Sequence, residues 1–181
     1  MGSEKLRLLM KSFVESQFNY CPLLWMFHSR KLNNRINKLH ERALRAVYKD
    51  DDLTFEQLLQ KDNSFTILER NLQKLAILMY QVKHKLCPKP VQDIFIQSNS
   101  VSALRTRDEN GAEHWVLPKV RTVNYGIETI RCRGPIVWNL IPDEIKRSKS
   151  LESFKSAIGN WKPQGCNCRL CKEYIQNLGY I

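Results

Sequence analysis

Long apolar runs are missing from this 181-residue sequence. No segment approaches the ~20 consecutive apolar residues needed to span a bilayer. The N-terminal stretch MGSEKLRLLM has neither the sustained apolar core nor the small-residue cleavage site of a signal peptide. It also fails the myristoylation pattern, because Leu6 stands where Ser or Thr is required. An intracellular protein is therefore expected, and in that setting six cysteines are free thiols or metal ligands rather than disulfides. Phosphate-cradling and metalloprotease signatures are absent as well: there is no G-x-x-x-x-G-K-[ST], no G-x-G-x-x-G and no H-E-x-x-H. His28, His40, His84 and His114 are scattered without a nucleophile or carboxylate at motif spacing, so they read as structural or exposed. No internal repeat or low-complexity tract occurs.

Acidic charge is also scarce. Lys and Arg number 29 against 18 Asp and Glu, giving a net charge of +11 and a pI of about 9.5. Such an excess favours polyanionic partners, nucleic acid or an anionic membrane surface. The 43% hydrophobic content is enough for a real core, which excludes general disorder. The length suits one domain, or one domain with a small appendage.

The stretch from Cys21 to Lys49 organises the rest. An apolar segment, Leu23 to Phe27, precedes a helix expected from about Ser29 to Tyr48. Leu32, Ile36, Leu39, Ala43 and Ala46 recur at steps of four and three and are expected to face the core. Lys31, Arg35, Lys38, Arg42, Arg45 and Lys49 follow the same steps one position earlier, opposed only by Glu41. That row is either a solvated charged face or a ridge that tracks phosphates.

Before this helix, residues 4–20 suggest an amphipathic helix with Leu6, Leu9, Met10, Phe13 and Val14 on one side and Ser3 as cap. Its start almost at Met1 suggests a chain cut from something longer. After it, Thr54 followed by Gln57 marks a capping box for a short helix to Gln60. Ser64 is expected to cap a long helix running to about Leu86, which Pro88 and Pro90 end, with a short helix over Val91 to Phe95. Residues 1–96 thus form a helical domain. Residues 97–113 are polar and aperiodic, a linker or loop. Residues 114–181 read as a small α+β region. Its strands are His114–Leu117, Val120–Val123 and Ile127–Arg133, the last placing Arg131 and Arg133 on one face. Gly134-Pro135 then turns the chain into a short helix to Ile141, and Ser150 caps a final helix to about Trp161. The fold class is mainly α: an array of amphipathic helices followed by this small α+β C-terminal region.

Three constellations could carry chemistry. Tyr48-Lys49-Asp50-Asp51 matches the letters Y-x-D-D, the metal-binding pair of reverse-transcriptase-type polymerases. Here it stands at a helix end with no preceding strand, so an ordinary helix boundary is the better reading and no catalytic residue is assigned. Cys166, Cys168 and Cys171 form C-x-C-x2-C and could hold zinc, although a fourth ligand is missing unless Cys132 supplies it. Among the aromatics, Trp25, Phe27 and Trp138 lie in apolar runs and read as core. Trp161, between Asn160 and Lys162, is the best candidate for exposure and base stacking.

The long segment ESQFNYCPLLWMFHSRKLNNRINKLHERALRAVYKD resembles the region that follows the polymerase palm in non-LTR (LINE-type) retrotransposon reverse transcriptases. The run RTVNYGIETIRCRGPIVWNLIPDEIKRSKSLESFKSAIGNW and the tail CNCRLCK resemble the end of the same proteins. The resemblance extends from about Leu6 to Ile181. It implies that the metal-binding aspartates belong to a palm upstream, so that no residue here, Asp50 and Asp51 included, inherits a catalytic role. It further implies a thumb-like helical half in contact with a template–primer duplex of RNA, DNA or hybrid, and the upstream palm as a partner. The sites expected to bind nucleic acid are Lys31, Arg35, Lys38, Arg42, Arg45, Lys49, Arg131 and Arg133. Two other readings stand beside this one: a structural or protein-interaction remnant without a nucleic-acid role, and a polymerase that uses Asp50 and Asp51.

Overall fold

The computed structural model describes residues 2–27, 30–95, 115, 121–122 and 129–162. The architecture is mainly helical, and no strand occurs among the described residues. The elements in chain order are α1 (Ser3–Leu9), a π-helical stretch (Met10–Glu15), α2 (Ser16–Asn19), α3 (Pro22–Trp25), α4 (Arg30–Tyr48), α5 (Phe55–Asp62), α6 (Ile67–Lys83), α7 (Lys89–Gln92), α8 (Ile130–Leu140), α9 (Asp143–Lys146) and α10 (Leu151–Gly159). They form two compact units that divide inside α6, between Asn71 and Leu72. The stretch 97–113, where composition suggested a boundary, lies outside the described residues, as do the expected strands at 114–117 and 120–123 apart from Trp115, Arg121 and Thr122.

The first unit is built around Met10, Leu44, Val47, Leu58 and Leu59, with Leu6, Val14, Ala43, Tyr48, Leu53 and Phe55 packed at its margin. The N-terminal helix buries only part of the face that its pattern suggested: Met10 enters the core and Leu6 and Val14 pack against it. Leu9 and Phe13 are 42% and 70% exposed. The π-helical stretch explains the exposure of Phe13, which lies inside it. Widening the turn rotates every later residue relative to a 3.6-residue repeat, so that Met10 and Glu15 are the buried positions of that stretch. The first cap also moves, from Ser3 to Gly2.

The capping box at the start of α5 is present as expected: the Thr54 hydroxyl accepts from the Gln57 amide and the Gln57 side chain accepts from the Thr54 amide. Another box starts α6, but at Thr66 rather than Ser64. The Thr66 amide donates to Glu69 Oε2 at 2.8 Å and the Glu69 amide to Thr66 Oγ1 at 3.2 Å. The α6 helix ends at Lys83, with Lys85 in the left-handed region at φ 55°. The Leu86 amide there closes on the carbonyl of Gln81.

The second unit buries Leu72, Leu75, Ala76, Met79, Tyr80 and Val82 of α6, Ile136, Val137 and Trp138 of α8, and Phe154 and Ile158 of α10. Phe154 stacks on both Tyr80 and Trp138, with ring centroids 4.4 and 6.0 Å apart. The Tyr80 hydroxyl donates to the carbonyl of Ser148 at 2.9 Å. Here the strand expected at Ile127–Arg133 is overturned from Ile130 onward. Residues 130–140 form one helix that passes through Gly134 and Pro135 instead of turning there. Burial decides against the local alternation. Cys132 to Trp138 are all buried, so the interior takes up every side of α8 rather than one alternating face, and Gly134 lets α8 approach α6 closely. A Cβ at Gly134 would lie 2.7 Å from Met79 Sδ and 2.8 Å from Phe95 Cε1. Trp161, expected at the surface, is 8% exposed. Its carbonyl and that of Gly159 both accept from Gln73. Ser150 caps α10 as expected, accepting from the Ser153 amide at 3.1 Å.

Candidate nucleic-acid interface

The site is the solvent face of α4, and the core contacts of that helix set which face it is. Two stripes compete along the sequence. The expected one, Leu32, Ile36, Leu39, Ala43 and Ala46, loses. Leu32 and Leu39 are 43% and 52% exposed, and Ala46 is exposed. The stripe that enters the interior lies one position later: Asn33, His40, Leu44 and Val47. The C-terminal half of the helix explains the choice. Burying Leu44 and Val47 removes more apolar area from water than burying Ala43 and Ala46, at about 25 cal/mol per Å². A straight helix then carries that register back to His40 and Asn33.

This register displaces the basic row from the margin of the core to the opposite side of the helix. Lys31, Arg35, Lys38 and Arg42 are all exposed, within a helical arc of roughly 60° at 100° per residue. Lys49, just past the helix end with φ 52°, lies on the same line and is also exposed. None of these five side chains pairs with an acidic group among the described residues. From Lys31 to Lys49 the row is about 27 Å long at 1.5 Å per residue.

Arg45 does not belong to the row, although its spacing fits. Its guanidinium pairs with Glu41 at 2.8 Å and donates to the carbonyls of Asp51 at 2.6 Å and Leu53 at 2.8 Å. It secures the chain leaving α4. Arg131 is exposed near the start of α8, whereas Arg133 is 5% exposed and buried with Cys132. The alternation that put both arginines on one face does not hold in a helix, where positions two apart diverge by about 200°. Arg133 is therefore removed from the site.

Tyr48, Asp50 and Asp51 form no hairpin. Tyr48 ends α4 and its hydroxyl donates to Asp62 Oδ1 at 2.7 Å. Asp50 pairs with Lys61 at 3.2 Å. Cys166, Cys168 and Cys171 lie outside the described residues, and Cys132 is buried. Among the described residues no group of three or more His, Cys, Asp or Glu side chains is placed to hold a metal ion. No helix of the described residues is long and apolar enough to cross a membrane.

Behind the basic face lies a polar cluster that periodicity did not reveal. Arg70 pairs with Glu15 at 2.8 Å, and Glu15 Oε1 stands 3.8 Å from Nε2 of His40, which is fully buried. Phe55 meets the imidazole edge-on, 5.7 Å between centroids. Burial, and then the Arg70 charge, push the His40 pKa down to about 4, against the weaker pull of Glu15 and Asp62. The imidazole is thus neutral at pH 7 and adds nothing to the positive field of α4. A second buried carboxylate, Asp62, accepts from Arg7 Nε at 2.6 Å as well as from Tyr48. Burial alone would raise its pKa, but the hydrogen bonds from Tyr48 and Arg7 outweigh that and lower it. Both clusters anchor α4 from behind and leave its basic face outward.

No protein-family model, curated protein or solved structure matches the chain.

Proposed function

We propose that this chain is the post-palm region of a non-LTR retrotransposon reverse transcriptase, without catalysis of its own, and that it binds nucleic acid through the outward face of α4. The observation that carries the binding is the row Lys31, Arg35, Lys38, Arg42 and Lys49: one sign of charge, exposed, on one line, on the side of the helix away from its core contacts. Steps of about 5 Å along the helix let successive cations meet successive phosphates. Contacts of this kind hold backbone without reading bases and release condensed counterions. The family assignment rests on the sequence resemblance and agrees with a helical fold that presents a basic helix. A zinc site at Cys166, Cys168 and Cys171 is an additional proposal that rests on their C-x-C-x2-C spacing.

The deciding experiment is a salt series with duplex DNA, RNA–DNA hybrid and single-stranded probes. Binding should weaken linearly in log K against log salt, with little sequence preference. Arg35→Gln, Lys38→Gln and Arg42→Gln together should flatten the slope by about two to three units. Unchanged binding in that variant would refute the assignment of the interface. Primer extension that depends on Asp51 would refute the non-catalytic reading.

A further inference from the structure

The stripe that loses the competition for the core remains in solvent, and its spacing is that of a coiled-coil seam. Leu32, Leu39 and Ala46 fall at heptad position d, and Ile36 and Ala43 at position a. Leucine at d with a β-branched residue at a is the composition that packs knobs into holes in a pair of helices. Leu32 and Leu39 are 43% and 52% exposed, Ala46 is exposed, and Ile36 and Ala43 are half-buried. The e positions, Asn33, His40 and Val47, are buried in the first unit. The seam therefore has one closed edge and one open edge. The open edge is the g row, Arg35, Arg42 and Lys49, and every member is an exposed cation.

We propose that this face of α4 docks an acidic amphipathic helix of a partner protein: a helix with apolar residues at the same three–four spacing and Glu or Asp beside them. The apolar part of the seam covers two heptads, about 21 Å. Ala43 and Ala46 at its end allow close approach of the partner backbone. Charge complementarity fixes the class of partner, because e and g charges set pairing choice in coiled coils. A second copy of this chain fails that criterion: antiparallel, its g row would set cations against Arg35 and Arg42, and parallel, the e positions that would face them are buried and carry no acid. Arg35 and Arg42 border both this seam and the nucleic-acid row, whereas Leu32 and Leu39 belong to the seam alone. The two surfaces are therefore separable by substitution, and the docking face does not depend on the nucleic-acid reading.

The probe is a fluorescein-labelled synthetic peptide of three heptads with Ile at a, Leu at d and Glu at e and g, followed by anisotropy with the full chain. Two controls accompany it: the same composition in scrambled order, and the same seam with Lys at e and g. The acidic heptad peptide should bind about ten-fold tighter than either control. Leu32→Ser with Leu39→Ser should weaken it about ten-fold, with unchanged circular dichroism and an unchanged nucleic-acid salt series. Arg35→Glu with Arg42→Glu should transfer the preference to the Lys peptide. Equal binding of the scrambled peptide would reduce the effect to polyanion attraction and overturn the proposal. So would unchanged binding in the leucine variant, or a homodimer that the leucine substitutions dissolve.

Discussion

The guanidinium of Arg45 donates to the backbone carbonyl of Leu53 at 2.8 Å, across the acidic turn that follows α4. The same group holds Glu41 and the carbonyl of Asp51. Arg42, three residues earlier, touches no acidic group among the described residues and is exposed. Two arginines of one sequence pattern thus have opposite tasks. Arg45→Gln should destabilise the fold by about 1–2 kcal/mol, because carbonyls in the turn lose a charged donor, while nucleic-acid affinity changes little. Arg42→Gln should do the reverse: stability within about 0.5 kcal/mol of the parent and weaker binding. Urea denaturation and binding isotherms on the two variants check the pair. Equal effects on both measurements would show that the two side chains are not distinct.

Asp62 is the next test, because three elements meet at its carboxylate. It is 1% exposed and accepts from Arg7 and Tyr48. Burial, followed by the hydrogen bond to Asp62, raises the Tyr48 pKa to about 12. Asp62→Ala strands the half-buried Tyr48 hydroxyl and releases the half-exposed Arg7, and should cost about 2–3 kcal/mol. Tyr48→Phe removes one donor and should cost about 1 kcal/mol. Because the Asp62 carboxyl is held below its ordinary value, its contribution is present above pH 4 and lost as pH falls through the lowered value. Equal midpoints for Asp62→Ala and Tyr48→Phe in urea would contradict this geometry.

What the sequence discloses depends on whether the deciding physics is local. Thr54 with Gln57, and Ser150, mark helix starts because a cap is made within three residues. The helical class and the course of α4 follow from period and composition in the same way. The face of α4 does not, because two stripes one residue apart are both plausible until Leu44 and Val47 find Met10, Leu58 and Leu59. Nor does the role of Arg45, whose partners include carbonyls that only the folded turn brings near. The π-helical stretch is equally silent: it follows from packing of Met10 and Glu15 and has no residue signature. At Ile130–Arg133 the alternation was real, but the interior of the second unit required a helix.

Gly134 tests that last packing. A methyl group there would come within 2.8 Å of both Met79 Sδ and Phe95 Cε1, and both side chains are buried. Alanine improves helix propensity by about 1 kcal/mol over glycine, whereas overpacking costs about 1–3 kcal/mol. The clash should win, so Gly134→Ala should lower stability by about 1 kcal/mol. Thermal unfolding of the variant checks the sign. A rise in midpoint would mean that Met79 and Phe95 yield freely and that the close approach of α8 to α6 is not a constraint.

His40 gives the sharpest pH dependence. It is fully buried, with Glu15 facing it from the π-helical stretch, Arg70 from α6 and Asp62 acting from α5. Its folded pKa of about 4 lies below the ordinary histidine value of 6.5. A lowered histidine value means that the native state rejects a proton which the unfolded chain accepts. The contribution is therefore complete above pH 6.5 and is lost as pH falls toward 4. The full difference corresponds to about 3 kcal/mol, at 1.36 kcal/mol per pKa unit. Urea midpoints measured between pH 7.5 and 4.5 should fall steadily below pH 6.5 in the parent chain. In His40→Leu that segment of the curve should be nearly flat, because the imidazole no longer titrates, even if the variant is less stable at pH 7. The comparison of slopes isolates His40 from any loss of packing against Phe55, which would displace the whole curve without bending it. A parent curve that stays level from pH 7.5 to 4.5 would show that the native state readily admits the proton, and would remove His40 as the source of acid sensitivity.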